Sequence, residues 1–291
     1  MAQKEASHIK DQVWYDKKRR EFENYVGKYW RAEADISEMY FTKYRTLEGD
    51  RKWLSIQNSR ELGNNIGNSF TYFASEIYHQ VGISYPRERA MFFLMTAAQE
   101  NAHYAWLAQV WEQLFDEEMD RHEITASRAE HPWWEYERQI RRVDPSADRA
   151  TKAGAMYVGG GGASIFYGMV AALAKIGIKN KADEIIDMAS RNIVSDEIEH
   201  SVMEGAKETE EGCQTDEDWE LAKASARESQ IPRIRARMYQ FSIPEEQWDD
   251  IIEKYDKGDG IEPLTTGGIG SITSVLYPKR QLAAEAYLAP A

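Results

Sequence analysis

Two stretches of this sequence carry a glutamate three residues before a histidine. The first pair is Glu100 and His103, in AAQENAHYAWL, and the second is Glu197 and His200, in SDEIEHSVMEG. Residues three apart share one helix face, so the carboxylate and the imidazole of each pair point the same way. Apolar residues continue both faces, and a carboxylate buried there costs several kcal/mol unless a partner or a metal compensates it. The two pairs supply half of the ligands of a dinuclear metal site in a helical bundle.

The Glu-x-x-His spacing alone does not identify a metal site, because it occurs at four of the six histidines, including Glu76–His79. Height along the helices separates these pairs. Glu100 and Glu197 lie 17 and 18 residues beyond turns predicted near residues 83 and 179, and so at the same height in a bundle of two hairpins. Glu76 lies only 7 residues before the first turn. The difference of ten residues is about 15 Å of helix, too far for Glu76 to share a site with Glu100.

Helical periodicity and turn signals predict an all-α fold in which four helices form a bundle. These helices are expected over 61–81, 86–118, 150–176 and 181–208. Gly82 and Gly177 act as stop signals. Residues 69–83 (SFTYFASEIYHQVGI) align without gaps on 164–178 (SIFYGMVAALAKIGI), which indicates one helical hairpin used twice.

We expect one helical domain, because no shift in composition marks a boundary. It divides into an N-terminal arm, a core bundle, and C-terminal helices with a tail, over about 1–50, 55–208 and 215–291 of the full 1–291. The C-terminal helices are predicted to break near Pro232 and Pro244. The tail after Lys257 is rich in Gly and Thr and is expected to form an extended arm.

Composition excludes several classes of function. The net charge of −13 leaves no surface that would collect phosphates, so we expect no nucleic-acid partner. No apolar run approaches the roughly 20 residues of a membrane span, and the N-terminus is polar. The single Cys213 excludes an internal disulfide and is interpreted as an incidental loop thiol. These features favour a cytoplasmic protein in a reducing compartment, without a membrane partner.

The paired motifs, and SDEIEH in particular, resemble those of the ferritin-like di-iron oxygenase superfamily. ELGNNIGNSFTYFA (61–74) is similar to a helix in the smaller, beta-type hydroxylase subunit of soluble multicomponent monooxygenases, which act on methane, alkenes, phenol and toluene. The resemblance covers about residues 55–208. It implies a ferritin-like bundle that binds iron as a di-iron pair and uses O₂ to oxidise a small organic substrate. Electrons would come from a separate reductase, because no flavin or nicotinamide fingerprint is present.

The superfamily also places a Glu or Asp on the first helix of each hairpin, and this chain departs from that pattern. Glu61 is the only carboxylate near the required height in the first hairpin, one turn away from it, and is the fifth candidate ligand. In the second hairpin the position falls on Gly159–Gly161, within VGGGGAS. Small residues there permit close approach of a neighbouring helix, or the run distorts its helix as a π-bulge. The site is thus di-iron, mononuclear, occupied by manganese, or free of metal.

Aromatic content predicts association with another chain. The sequence has 9 Trp, 16 Tyr and 9 Phe, many of them within 14–30, 106–111 and 131–136. Such residues are enriched at the centres of interfaces, so we expect a homo-oligomer or a pair with a related hydroxylase subunit. The tail from Gly258 onward would lie across the partner. The alternative is that the N-terminal arm folds back on its own bundle.

Two functions therefore stay open. The first is a subunit of an O₂-dependent di-iron monooxygenase, with Glu100, His103, Glu197 and His200 as metal ligands and Glu61 as a weaker candidate. The second is a metal-free structural subunit that clamps a catalytic homologue. The retained histidines favour the first, and the missing carboxylates favour the second.

Overall fold

The computed structural model describes residues 11–61, 87–119, 147–176, 181–197 and 204–264. Within these ranges every regular element is a helix and there is no strand, which confirms the all-α prediction. No described helix combines the length and the apolar character that a membrane crossing requires.

The helices are numbered in chain order: α1 (Gln12–Met39), α2 (47–61), α3 (Arg87–Phe115), α4 (Arg149–Ile176), α5 (Lys181–Glu197), α6 (Glu204–Gly212), α7 (Asp216–Gln240) and α8 (Trp248–Lys257). A short π-helix, Tyr40–Tyr44, ends α1, and a 3-10 turn, Glu245–Gln247, precedes α8. Gly258, with a φ of 77°, closes α8 in the left-handed conformation that glycine adopts without strain.

The predicted bundle helices agree with the observed ones where the structure describes them. The predictions 86–118 and 150–176 correspond to α3 and α4, and 181–208 covers α5 and part of α6. The predicted helix 61–81 meets the end of α2 at residue 61 and otherwise lies outside the described residues, as does the first copy of the proposed repeat.

Helix α4 lies at the centre of the molecule. It packs against α1, α5, α6 and α7, and Tyr167 of α4 also contacts α2 through Gln57. Between Arg149 and Ile176 the sequence has no Asp or Glu. A helix that is apolar on all sides is stable in water only when other helices surround it. The bundle of α2 to α5 is therefore covered on its other side by α1 and α7.

The glycine run of α4 lets α1 approach closely. A methyl group at Gly161 would overlap the indole ring of Trp30, and one at Gly162 would overlap the carboxylate of Glu33. Nε1 of Trp30 donates to the carbonyl oxygen of Val158 at 3.0 Å across this contact. Helix α4 stays a regular α-helix through the run, so the expected π-bulge is wrong and the close-approach alternative holds.

The N-terminal arm folds back on its own bundle. Tyr15, Phe22, Tyr29 and Trp30 of α1 are no more than 2% exposed. Phe22 meets Tyr157 of α4 edge to face, with 5.4 Å between ring centroids. These four aromatic residues are thus buried within one chain, and Trp14 and Tyr25 pack, partly buried, against the same core.

The beginning of the C-terminal tail also packs on α1. The amide of Leu264 donates to the carbonyl oxygen of Gly27 at 3.1 Å, and the Leu264 side chain is buried. Residues 258–264 are non-helical, as expected, but they lie on their own chain. The rest of the tail, 265–291, falls outside the described residues, so its predicted place on a partner stays a prediction.

Helix α7 continues through Pro232, so the break predicted there is wrong. A proline inside a helix removes one backbone hydrogen bond and costs about 3 kcal/mol. Burial of the surrounding turn against α1 and α4 offsets this cost, since Arg233 and Ile234 are both almost fully buried. The chain does leave the helical path before Pro244, as predicted.

A fully buried ion group joins α1 to α7. Glu33 accepts hydrogen bonds from Gln230 at 2.7 Å and from Nε and Nη2 of Arg233. It also accepts one from Nη2 of Arg237 at 3.3 Å. Burial by itself raises the pKa of Glu33, but the charges of Arg233 and Arg237 outweigh it and lower the pKa to about 2. The ion group therefore stabilises the fold at neutral pH, and this contribution is lost as the pH falls from about 4.5 towards 2.

Replacement of Gly161 by alanine is expected to destabilise the protein. In an ordinary helix interior Gly→Ala stabilises by about 1 kcal/mol, but here the methyl group meets Trp30. Overpacking of this kind costs about 1–3 kcal/mol, which urea denaturation would measure. Trp30→Phe makes room for the methyl group, so the double variant should lose less than the sum of the two single variants. A stabilised Gly161→Ala would contradict the close packing of α1 on α4.

Replacement of Glu33 by alanine is expected to lower the free energy of unfolding by about 3–5 kcal/mol, because two buried guanidinium groups lose their carboxylate. The matched control is Glu21→Ala on the same helix, where the pairs with Lys17 and Lys18 are exposed and contribute little. Equal urea midpoints for the two variants would refute a stabilising role for the buried group.

Candidate metal centre

Four of the five predicted ligands meet inside the bundle. Glu61 lies on α2, Glu100 and His103 lie on α3, and Glu197 lies on α5. One donor atom from each of the four lies within 4.8 Å of the others, a grouping that could hold a metal ion. The fifth, His200, lies outside the described residues, so its predicted approach to His103 stays a prediction.

The cluster is shielded from water. The exposed fractions of Glu61, Glu100, His103 and Glu197 are 2%, 5%, 0% and 9%. Leu107 and Ile193, one turn from His103 and Glu197 on the same helices, are buried apolar neighbours. Ionisable groups in such surroundings need mutual pairing or a cation, because burial strongly disfavours an isolated charge.

The imidazole of His103 is held at both nitrogens. Nδ1 lies 3.3 Å from Oε2 of Glu61 and 3.7 Å from Oε2 of Glu100, so this nitrogen points into the cluster. Nε2 points out of it and lies 3.0 Å from Oδ2 of Asp196, whose Oδ1 accepts from Gln99 at 3.1 Å. Histidines that bind metal usually bond a carboxylate or carbonyl through the other ring nitrogen. His103 is therefore oriented as a metal-binding histidine would be.

Asp196 was missed by the sequence analysis. It directly precedes Glu197 in SDEIEH, but that hexapeptide was considered only for Glu197 and His200. Consecutive residues on a helix lie about 100° apart around its axis. The residue before a ligand can therefore reach a neighbouring helix, and two adjacent acidic residues beside an apolar face were the signal that could have identified it.

The sequence suggested that Glu61 lies one helical turn away from the other candidate ligands, but in the structure it lies among them. Its Oε1 accepts a hydrogen bond from Nε2 of Gln57 at 2.6 Å and another from the hydroxyl of Tyr167. Counting residues through a turn near residue 83 assumes two straight helices with a symmetric connection. If one helix is shifted by a single turn against the other, the height predicted for Glu61 is wrong. The contacts of its side chain give that height directly.

Helix α4 contributes no carboxylate to the cluster, as its sequence indicated. Gly161, within the stretch Gly159–Gly161 where the resemblance implied an acidic residue, faces Trp30 of α1, and the next residue, Gly162, faces Glu33. Among the described residues of α4, Tyr167 is the one that bonds to a candidate ligand. Burial and the charge of Glu61 raise the pKa of Tyr167 well above its usual range, so it is a neutral hydrogen-bond donor.

Without a metal, the cluster holds its protons unevenly. Burial lowers the pKa of His103, but hydrogen bonds to Glu100 and Glu61 and the charges of Glu61 and Glu197 outweigh it and raise the pKa to about 11. Burial raises the pKa of Glu61, but hydrogen bonds to His103 and Glu100 lower it to about 2. Burial and the charge of Glu61 raise the pKa of Glu100 well above its usual range. Glu61 and His103 thus form an ion pair, and Glu100 is the carboxylate of the three residues that takes up a proton most readily.

The donor set fits a transition metal. Three carboxylates and one imidazole suit divalent iron, manganese or zinc. Oε2 of Glu100 is buried, and its contact with Nδ1 of His103 at 3.7 Å is too long for a hydrogen bond, a cost that a bound cation would remove. Metal ligands must be deprotonated, so binding would displace the proton that His103 carries at neutral pH.

Comparison with protein-family models, with curated proteins and with solved structures finds no match for this chain. The helical packing and the buried cluster are compatible with a ferritin-like fold, but no relative supplies an activity. A functional proposal must therefore be argued from the cluster and its surroundings.

When a chelator is present, Glu61→Gln is expected to lower stability, and Glu100→Gln is expected to leave it unchanged or raise it. Glu61 is paired with His103 and accepts two further hydrogen bonds, so its replacement should cost about 1.5–3 kcal/mol. Oε2 of Glu100 is buried and lies 3.7 Å from Nδ1 of His103, too far for a hydrogen bond, so replacement of Glu100 should be neutral or stabilise by up to about 1 kcal/mol. Urea denaturation of the two variants measures the free energy of unfolding. Equal losses would mean that the buried oxygen of Glu100 does not destabilise the metal-free protein.

Proposed function

We propose that this chain is the metal-binding subunit of an O₂-dependent di-iron monooxygenase that acts on a small organic substrate. The observation that supports this most is the meeting of Glu61, Glu100, His103 and Glu197 within 4.8 Å in a helical core. Bound iron would supply the activation of O₂, which amino-acid side chains cannot perform. The family resemblance supports the choice of iron over other metals that suit the same ligands.

Each described residue has a distinct part in this proposal. Glu61, Glu100 and Glu197 provide oxygen ligands from three helices, and His103 provides Nδ1. Asp196 accepts from Nε2 of His103 and so keeps the ring turned towards the carboxylates. His200 would complete the set, and its contribution is a prediction from the sequence alone.

The surroundings suit a reaction that must be kept apart from water. The cluster adjoins a continuous apolar core that reaches from α1 to the residues after α8. An apolar setting favours O₂ and small organic substrates over charged ones. We further propose that a separate reductase supplies electrons, because the sequence carries no fingerprint for a redox cofactor of its own.

The charge of the ligand set bears on how many metal ions are held. Three carboxylates carry three negative charges when deprotonated, against four positive charges for two divalent ions. The absence of an acidic residue on α4 leaves the pair under-neutralised by the described residues. Since uncompensated charge is costly in the core, a single ion is a second possible occupancy.

The second candidate function is a metal-free subunit that clamps a catalytic homologue. The internal pairing of the cluster favours it, because His103 already has carboxylate partners at both nitrogens and forms an ion pair with Glu61. On this proposal the histidine is a structural cation, and the lack of a carboxylate on α4 reflects lost metal binding. Sedimentation of the chain with its genomic neighbours would show whether such a partner exists.

Metal analysis of the purified chain separates the two functions. The di-iron proposal predicts one to two equivalents of iron after anaerobic loading with Fe²⁺. It also predicts a rise in unfolding free energy of about 2.7 kcal/mol when free Fe²⁺ is 100 times its dissociation constant. His103→Ala should abolish both effects. Manganese should be tested in parallel, since the same ligands accept it.

His8→Ala is the matched control, because His8 follows Glu5 at the same spacing but belongs to the N-terminal arm. It should bind metal as the unaltered chain does. Absence of any bound metal, alone or with a co-purifying partner, would rule out the monooxygenase proposal and favour the structural one.

A further inference from the structure

One oxygen of Glu61 is occupied by donors of the protein itself. Oε1 accepts from Nε2 of Gln57 at 2.6 Å and from the hydroxyl of Tyr167. A carboxylate oxygen has about two lone-pair sites, so these donors fill it. Oε2, on the other side of the carboxylate, lies 3.3 Å from Nδ1 of His103 and faces the candidate metal centre.

The amide of Gln57 can have only one orientation. Its Oε1 accepts hydrogen bonds from Nη1 of Arg237 at 3.3 Å and from Nε2 of Gln240 at 3.1 Å. A guanidinium group has donors and no acceptor, so the oxygen of Gln57 must face Arg237. The NH₂ group therefore faces Glu61 and Tyr167, and its two hydrogens are used by Oε1 of Glu61 and, at 2.7 Å, by the hydroxyl of Tyr167.

Arg237 is itself held in place by hydrogen bonds to α1 and α7 and by a ring of α4. Its Nη2 donates to Oε2 of Glu33 on α1 at 3.3 Å, and its Nη1, besides the bond to Gln57, donates to Oε1 of Gln240 on α7 at 2.5 Å. The guanidinium carbon lies 3.5 Å from the ring centroid of Phe166. The arginine is 1% exposed, so it has little freedom to turn away. Donors thus point in one direction, from Arg237 to Gln57 to Glu61.

We propose that Gln57 and Tyr167 are positioning residues that reserve Oε1 of Glu61 for the protein, so that Glu61 offers a metal ion Oε2 alone. Arg237 keeps Gln57 in the orientation that this requires. The inference rests on the proposed metal site and adds to it the binding mode of one ligand and the residues that impose it.

A purely structural role for the same hydrogen bonds makes a different prediction. Loss of a buried hydrogen bond would lower stability by about 1 kcal/mol wherever it occurs in the core. It would leave the coordination of a metal ion unchanged. A positioning role changes the affinity and the coordination number, because the freed Oε1 can then reach the ion.

The test uses Co²⁺ as a probe in the full-length chain, with Tyr167→Phe, Gln57→Met and the double variant. Gln57→Met preserves side-chain length, and Arg237 keeps its bonds to Glu33 and Gln240. The control is Tyr15→Phe, which removes an equally buried phenol bonded at 2.8 Å to Thr209, away from the cluster. Titration gives the dissociation constant, and the d–d absorption of bound Co²⁺ reports its coordination number.

We expect each single variant to bind Co²⁺ about 10–100-fold more weakly, as changes to groups that orient metal ligands usually do. The double variant should also show weaker d–d absorption, because a second oxygen of Glu61 raises the coordination number. Tyr15→Phe should match the unaltered chain in both measurements.

Variants that fold and match the unaltered chain in affinity and spectrum would overturn the positioning role while leaving the metal site in place. Circular dichroism establishes folding, and if Tyr167→Phe fails to fold, Gln57→Met decides the matter by the same two measurements. An unaltered chain that binds no Co²⁺, Fe²⁺ or Mn²⁺ would overturn the metal site itself, and this inference with it.

Discussion

The carboxylate of Glu61 must be compensated where it stands, since it is almost completely buried among packed helices. Its partners come from the same helix through Gln57, from α3 through His103 and from α4 through Tyr167. Because a buried charge without partners would cost several kcal/mol, these helices can pack only at the heights that bring the partners together. The contacts that neutralise Glu61 therefore also fix the heights of these helices relative to one another.

A second buried charge group extends this constraint to the helices outside the bundle. Glu33 of α1 is neutralised by Arg233 and Arg237 of α7, and Arg237 reaches Gln57 next to Glu61. Close approach of α1 is possible because the glycines of α4 leave room for its side chains. The N-terminal arm and the C-terminal helices thus belong to the core, and they contribute to the orientation of a candidate ligand more than one helix away.

The chemistry of the cluster differs between two states of one set of residues. Without a metal, Glu61 and His103 neutralise each other, and the raised pKa of Glu100 favours its protonated form. With a metal, these protons would leave, and the same groups would face a cation. The buried oxygen of Glu100, which has no partner within hydrogen-bond distance, favours the second state, whereas the ion pair of Glu61 and His103 stabilises the first. The two proposed functions therefore correspond to two ways of neutralising the same buried carboxylates, by the protonated His103 or by a metal ion.

The sequence alone was enough to predict α3 and α4, the shared helix face of Glu100 and His103, and the lack of a carboxylate on α4. These are local properties: periodicity, spacing along a helix and the absence of acidic residues can be read without knowing the fold. The place of Glu61, the part of Asp196 and the direction of the glycine run could not be read in this way. Each depends on how far one helix is shifted or rotated against another, and packing of large side chains such as Trp30 sets that relation. The tertiary structure also decided that the aromatic residues of α1 belong to the core, because composition shows how much apolar surface a chain carries but not which surface covers it.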